Sequence, residues 1–150
     1  MITYQLERFG EFYPEARILL ARHWEEIALN RDEVPLDVDV AGYQGLDAAG
    51  QLQLLTVRLD SVMIGYHSTV VKPHLHYNST LVGFVDVYYI VPEHRDKPRV
   101  ALRLFKEAEK ALKARGVKLV IQTTKLHSDK SKFLKFLGYQ PTEIVVKKIL

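Results

Sequence analysis

The sequence predicts an α+β fold built around a mixed sheet. Short segments rich in Val, Ile, Leu and Tyr indicate strands, and longer segments with apolar residues at helical spacing indicate helices. Along the chain these segments follow the order β, α, α, β, β, β, α, β, α, β. No linker or internal repeat interrupts the 150 residues, so we expect a single domain over residues 1–150.

The first half of the chain contains three predicted strands and two predicted helices. Gly50 ends the second helix, and Asp60-Ser61 supplies a hairpin turn between two strands. A polar connection at residues 72–80 leads to the next strand. The predicted bounds are a strand at 3–7, helices at 12–29 and 38–49, and strands at 52–59 and 62–71.

The second half begins with an apolar strand at residues 81–91 and a long amphipathic helix that ends at Gly116. A nearly continuous apolar run then predicts a central strand at 117–124. Ser128 or Asp129 can cap a short helix, and residues 144–150 are expected to form the last strand.

Composition excludes several kinds of site. The chain has no cysteine, which excludes disulfides, thiolate metal sites and a cysteine nucleophile. A net charge of +3 is too small to indicate a nucleic-acid partner. No apolar run approaches the roughly 20 residues that span a bilayer, and the first residues do not resemble a secretion signal, so we expect a cytoplasmic protein that binds no membrane.

The segment from Val91 to Ala101 joins the apolar strand to the amphipathic helix and carries the cations Arg95, Lys97 and Arg99. A helix N-terminus presents unpaired N–H groups and partial positive charge, and neighbouring cations add attraction for an anion. The segment therefore predicts a phosphate site. The alternative is that these cations are merely solvated.

Pro92-Glu93-His94-Arg95, followed by a small-residue position and a helix, resembles the acetyl-CoA loop of the GNAT N-acetyltransferase superfamily. Within it the chain is most similar to small acetyltransferases encoded by tailed bacteriophages. The similar segments are HWEEIAL at 23–29, PL at 35–36, HLHYNST at 74–80 and FLKFLGY at 133–139. The resemblance implies a mostly antiparallel sheet with helices on both faces, acetyl-CoA as donor, and direct transfer to an amine in a ternary complex.

Three residues depart from the family pattern. Pro98 replaces the glycine expected at the third position after Arg95, and Val100 stands at the second small position unless an insertion places Ala101 there. Leu134 replaces the tyrosine that many relatives use as a general acid. These departures favour a rival hypothesis, a catalytically inactive GNAT-derived protein that binds CoA or a host or virion protein.

The resemblance also implies which residues hold acetyl-CoA. The backbone of one strand would bind the pantetheine arm, the loop would bind the pyrophosphate, and residues across the gap would complete the site; His127 is equally interpretable as a surface residue. The strand residues are Tyr89, Ile90 and Val91. The loop residues are Arg95, Asp96, Lys97, Pro98, Arg99, Val100 and Ala101, and the residues across the gap are His127, Ser131 and Phe133.

Amine acetylation needs a base, and Asp86 is the first candidate because it interrupts an apolar strand. A structural role, paired with an arginine or capping a loop, is the alternative. His76 is the second candidate base, with His74 and Tyr77 lining the acceptor site. A metal site formed by these histidines is a third hypothesis, for which the ligand spacing is incomplete.

The resemblance places the first two helices over the acceptor site. His23, Glu26 and Tyr43 lie on these helices and would line it, and the charge of Glu26 suits a cationic amine. The acceptor itself is not identified by the sequence. Dimerisation through the terminal strand also stays open.

Overall fold

The structure is a computed structural model that describes residues 1–150 apart from the side chain of Pro98. It contains five strands, four helices and a single turn of 3₁₀ helix, Pro92–His94. The strands and helices are β1 (Ile2–Glu7), α1 (Phe9–Ile27), α2 (Val40–Ala48), β2 (Leu52–Leu59), β3 (Val62–His74), β4 (Tyr77–Ile90), α3 (Pro98–Ala114), β5 (Leu119–Ile121) and α4 (Ser131–Phe136).

The strands form one sheet in the order β1-β2-β3-β4-β5. The first three pairings are antiparallel, and β5 joins β4 in parallel after the α3 crossover. This mixed, mostly antiparallel sheet confirms the predicted α+β class.

Helices cover both faces of the sheet, as neighbouring residues of β3 show. Tyr66 packs edge-on against Phe12 of α1 with 5.5 Å between ring centroids. His67 points the other way and packs against Phe105 of α3 at 5.0 Å. Because successive side chains of a strand alternate in direction, α1 and α3 lie on opposite faces.

The hydrophobic core is formed where the apolar stripe of α3 and the first turns of α1 meet the sheet. Leu104 and Ala108 of α3 and Ala16 of α1 are fully buried. Leu104 and Ala108 are four residues apart and so lie on one face of α3, as the helical period in the sequence predicted. The strong amphipathicity of α3 explains why its position was predictable.

Several element boundaries differ from the prediction. Helix α1 spans Phe9–Ile27 instead of residues 12–29, and the Glu11 side chain accepts a hydrogen bond from the Arg8 N–H at 3.3 Å where the helix begins. Helix α2 begins at Val40 instead of residue 38, because the Asp39 side chain accepts a hydrogen bond from the Gly42 N–H at 2.8 Å and caps the helix there. The polar segment 72–80 is largely strand, since His74 pairs with Tyr77 across a tight turn. Backbone pairing with the opposite strand overrides the polar composition of that segment.

The two C-terminal strand predictions need larger corrections. Strand β5 spans Leu119–Ile121 only, and the chain leaves the sheet at Gln122. The predicted strand at 144–150 is wrong: these residues lie outside any strand, and their side chains are exposed. A strand needs a ladder partner as well as β-branched residues, and in the part of the chain that the structure describes this segment pairs with none.

Across the described residues, no helix has both the length and the apolar character needed to cross a bilayer.

Candidate active site

A cleft opens where β4 and β5 separate. The two strands pair only from Val82 to Phe84 and from Leu119 to Ile121. Beyond this short ladder, residues 85–90 and 122–125 form opposite walls of a cleft with a volume of about 440 Å³. The edge of β4 that faces the cleft has no strand partner among the described residues, so its backbone groups are available to a ligand.

Asp86 lies at a β-bulge beside this cleft. In the β3–β4 ladder Thr69 pairs with Val85 and Ser68 pairs with Val87, so Asp86 is the extra residue without a partner. A bulge changes the direction of a side chain, and this explains how a carboxylate in an apolar strand remains exposed.

The hydroxyl of Tyr43 on α2 donates a hydrogen bond to the carboxylate of Asp86. Burial, reinforced by this neighbouring carboxylate, raises the pKa of Tyr43, so the phenol remains a protonated donor. The structure thus brings together the predicted base and a predicted acceptor-site residue.

His23 forms part of the wall contributed by α1. Its ring stacks on Tyr89 with 4.8 Å between centroids, and its Nδ1 lies 3.4 Å from the hydroxyl of Tyr66. Burial lowers the pKa of His23 to about 4 and raises the pKa of Tyr66, so a protonated phenol lies beside a neutral imidazole. A group with so low a pKa suits a lining role better than proton transfer at neutral pH.

Arg95 binds Glu26 across the mouth of the cleft. Its two terminal nitrogens lie 2.5 and 2.7 Å from the two carboxylate oxygens, and its Nε donates to the Ile90 carbonyl at 2.7 Å. The guanidinium also lies over the ring of Tyr89, 5.1 Å from its centroid. The hydrogen bonds from Arg95 lower the pKa of Glu26.

This arrangement differs from two sequence predictions. Glu26 is predicted to attract a cationic amine, but its charge is neutralised by Arg95. Arg95 is predicted to bind phosphate, but three of its five N–H donors are engaged by Glu26 and by a strand carbonyl. A second ion pair, between Arg22 and Glu93 at 2.9 Å, also attaches the loop to α1.

The sequence analysis missed most of the wall that follows β5. Its polar members that line the cleft are Gln122, Thr123, Thr124, Lys125, Ser128 and Lys130. Gln122 stands out because both of its amide atoms are buried without a hydrogen-bond partner in the described structure. The signal available in the sequence was a polar residue directly after the apolar run 119–121.

Tyr88 is a further lining residue that the sequence analysis did not identify. Its ring packs edge-on against Phe105 at 5.1 Å. Burial raises the pKa of Tyr88, and the neighbouring Thr124 hydroxyl acts in the opposite direction. The result is a protonated phenol in the cleft.

The predicted loop residues separate into three groups. Ala101 lines the cleft, whereas Asp96, Lys97 and Arg99 are exposed around the start of α3. Val100 is 4% exposed and belongs to the core, which favours Ala101 as the small residue facing a ligand. Pro98 begins α3, and its side chain lies outside the described residues.

The other predicted cofactor residues are also divided. Tyr89, Ile90 and Phe133 line the cleft. The Val91 N–H donates to the carbonyl of Ile64 at 2.9 Å and is not free for a ligand.

Two residues predicted to lie across the gap do not line the cleft. The Nε2 of His127 lies 3.1 Å from the carbonyl of Ile27, which supports its interpretation as a loop residue. Ser131 is hydrogen-bonded to Asp129 through both its N–H and its hydroxyl.

His74, His76 and Tyr77 lie at the β3–β4 turn and do not line the cleft. They contact one another, with His74 5.4 Å from His76 and 5.0 Å from Tyr77 between ring centroids. The cleft geometry therefore does not place His76 at the reaction centre. Among the described residues, no group of three or more His, Asp or Glu side chains is positioned to hold a metal ion.

Comparison with known proteins identifies the fold. No family model and no curated protein matches the sequence. A ribosomal-protein-alanine N-acetyltransferase from Brucella melitensis biovar Abortus 2308 has a similar structure, with a TM-score of 0.70, 17% identity and coverage of 100% of this chain and 99% of that one.

Two further structures agree. A predicted acetyltransferase from Clostridium acetobutylicum, determined with acetyl-CoA, has a TM-score of 0.75 and 15% identity, covering 99% of this chain and 96% of that one. An aminoglycoside acetyltransferase from an uncultured soil metagenomic sample, in complex with sisomicin, has a TM-score of 0.74 and 11% identity, covering 99% and 95%. At these identities the likeness concerns the fold, and the chain has the fold of the GNAT acetyltransferases.

Proposed function

We propose that this protein is an acetyl-CoA-dependent N-acetyltransferase that transfers the acetyl group directly to an amine in a ternary complex. The observation that carries the proposal is the cleft between the separating ends of β4 and β5, with the carboxylate of Asp86 at its edge. The shared fold with acetyltransferases supports the same activity.

The cleft suits the donor in shape and in polarity. The pantetheine arm of acetyl-CoA contains amide groups, which match the edge of β4 that has no strand partner among the described residues and the unpartnered amide of Gln122. Lys125 and Lys130 line the cleft and provide positive charge for a phosphorylated ligand. When bound, acetyl-CoA supplies an activated acetyl thioester.

Asp86 is the proposed base. Its carboxylate accepts a proton from the acceptor ammonium, directly or through water, which frees the nitrogen lone pair for attack on the acetyl carbon. The phenol of Tyr43 donates to the same carboxylate and holds its orientation. With no cysteine in the chain, a cysteine-bound acyl intermediate is excluded.

Tyr88 is the proposed acid. A carbon–sulfur bond breaks as the new carbon–nitrogen bond forms, and the departing sulfur requires a proton. Leu134, at the position of the family's usual tyrosine, is buried and has no proton to give. Tyr88 is a protonated phenol on the cleft wall and supplies this proton in our proposal.

The proposed acceptor is an amine. The related structures include a ribosomal-protein-alanine acetyltransferase and an aminoglycoside enzyme, so the fold itself does not select between protein and small-molecule acceptors. A phage origin and action in the host cytoplasm follow from the sequence resemblance and remain predictions.

Calorimetric titration with acetyl-CoA and with CoA tests the donor site. We expect micromolar binding that Ala101→Phe abolishes, because the larger side chain fills the cleft, and that Lys110→Phe preserves, because Lys110 is exposed on the same helix away from the cleft. Absence of binding by the unmodified protein would overturn the donor assignment. Binding without thiol release against a panel of amines would favour the inactive, GNAT-derived binding protein.

A further inference from the structure

Four aromatic rings form a patch outside the cleft, at the β3–β4 turn and on the strand that carries Asp86. We define this aromatic patch as His74, His76, Tyr77 and Phe84. The His74 ring lies nearly parallel to the Phe84 ring, with 6.3 Å between centroids and 25° between planes. His76 and Tyr77 pack around the same imidazole. Such a group offers planar surfaces for stacking.

The patch lies on the same face of the sheet as Asp86. A Cβ added to Gly83 would lie 3.6 Å from Leu112 and from Val117, so Gly83 faces α3. Phe84, the next residue, therefore faces the opposite side, where Asp86 meets Tyr43 of α2. Two residues along a strand separate Phe84 from Asp86 by about 7 Å.

The orientation of the central ring is fixed by the backbone. The Nδ1 of His74 accepts a hydrogen bond from the His76 N–H at 3.1 Å. This hydrogen bond directs Nδ1 towards the backbone of the turn and fixes the plane of the His74 ring. Tyr77 is 63% exposed, so a ligand can reach the patch.

The charges around the patch disfavour a polycationic acceptor. Two carboxylates line the cleft, and Glu26 is paired with Arg95 whereas Asp86 has no cationic partner among the described residues. The patch itself has a positive charge beside it, because the Nζ of Lys72 lies 5.7 Å from the centre of the Phe84 ring. One amine is therefore accommodated at Asp86, and a second cation at the rings would be repelled.

We propose that the aromatic patch binds a planar ring of the acceptor, and that a linker of two or three bonds carries the acceptor amine from this ring to Asp86. The inference rests on the proposed acetyltransferase function and specifies its substrate class. The acceptor is then a monoamine attached to an aromatic ring, in preference to an aliphatic polyamine.

Three amines test this preference in an acetyl-transfer assay. The first, 2-phenylethylamine, has a planar ring; 2-cyclohexylethylamine has the same reach with a ring that cannot stack; spermidine is a polycation. We expect kcat/KM for 2-phenylethylamine to exceed that for 2-cyclohexylethylamine roughly threefold to tenfold, the range of one aromatic pair. Tyr77→Ala should remove this advantage, and Phe136→Ala, which truncates an exposed ring on α4, should retain it.

Equal kcat/KM for the two ring amines, or an advantage that survives in Tyr77→Ala, would overturn the proposal while leaving the acetyltransferase function intact. Saturation-transfer NMR of 2-phenylethylamine with the unmodified protein and with Tyr77→Ala measures ring binding without turnover. Signal that depends on Tyr77, in a protein that acetylates no amine, would support the ring site and reject the acetyltransferase function.

Discussion

The guanidinium of Arg95 binds the carboxylate of Glu26 through two parallel hydrogen bonds of 2.5 and 2.7 Å, joining α1 to the loop before α3. Both side chains line the cleft and are more than a third exposed. Exposed ion pairs contribute little to global stability. The pair therefore matters chiefly for the shape and charge of the cleft mouth.

Charge reversal distinguishes a bridging arginine from a phosphate ligand. Arg95→Glu and Glu26→Arg each place like charges together, and we expect each to raise KM for acetyl-CoA roughly fivefold, corresponding to about 1 kcal/mol for a half-exposed pair. The double variant restores the ion pair and should recover most of the affinity. If the double variant binds as weakly as Arg95→Glu, Arg95 contacts the phosphates directly.

Replacement of Asp86 tests the proposed base. Asp86→Asn keeps the shape of the side chain and removes its proton affinity, so kcat should fall by a factor of roughly 10² to 10⁴. Calorimetric affinity for acetyl-CoA should not change. Asp37→Asn, in the exposed loop between α1 and α2, is the matched control. Unaltered kcat in Asp86→Asn would remove Asp86 from the mechanism.

Gln122→Leu should change stability and donor affinity in opposite directions. Its two buried amide atoms have no partner in the described structure, and an unsatisfied buried polar group costs about 1–3 kcal/mol. Leucine removes that cost, so Tm should rise, whereas loss of an amide partner should weaken acetyl-CoA binding. Gln44→Leu, at an exposed position of α2, should change neither quantity. A lower Tm together with unchanged affinity would contradict a ligand-binding role for Gln122.

Two buried histidines predict acid sensitivity. Burial lowers the pKa of both His23 and His67 to about 4, below the usual value of 6.5. Between these values the unfolded chain binds more protons than the folded protein, so the free energy of unfolding decreases as pH falls from about 6.5 towards 4. The total loss should reach a few kcal/mol.

Urea unfolding at pH 7 and pH 5 measures this loss. His67→Gln should unfold with a smaller difference between the two pH values, although it is less stable overall because the site is buried. His127→Gln, at an exposed position, should keep the full difference. A pH dependence that is unchanged in His67→Gln would contradict the lowered pKa of His67.

Some features of the site were visible in the sequence because they are local. The amphipathic period of α3 predicted the helix that crosses from β4 to β5. Asp86 was identifiable as a charge inside an apolar strand. Tyr43 was predicted as a site residue too, although its contact with Asp86 depends on packing between α2 and the sheet.

The sequence by itself determined the order of the elements as far as α4, the α+β class and the absence of cysteine chemistry, since each follows from composition or from short-range periodicity. Tertiary structure decided the rest. The bulge at Asp86 depends on register with β3, and the pairing of Arg95 with Glu26 joins residues 69 positions apart. The segment 144–150 has strand composition but no ladder partner among the described residues. Strand pairing, the shape of the cleft and the choice of ion-pair partner depend on contacts between residues that are far apart in the sequence. Local propensity does not specify those contacts.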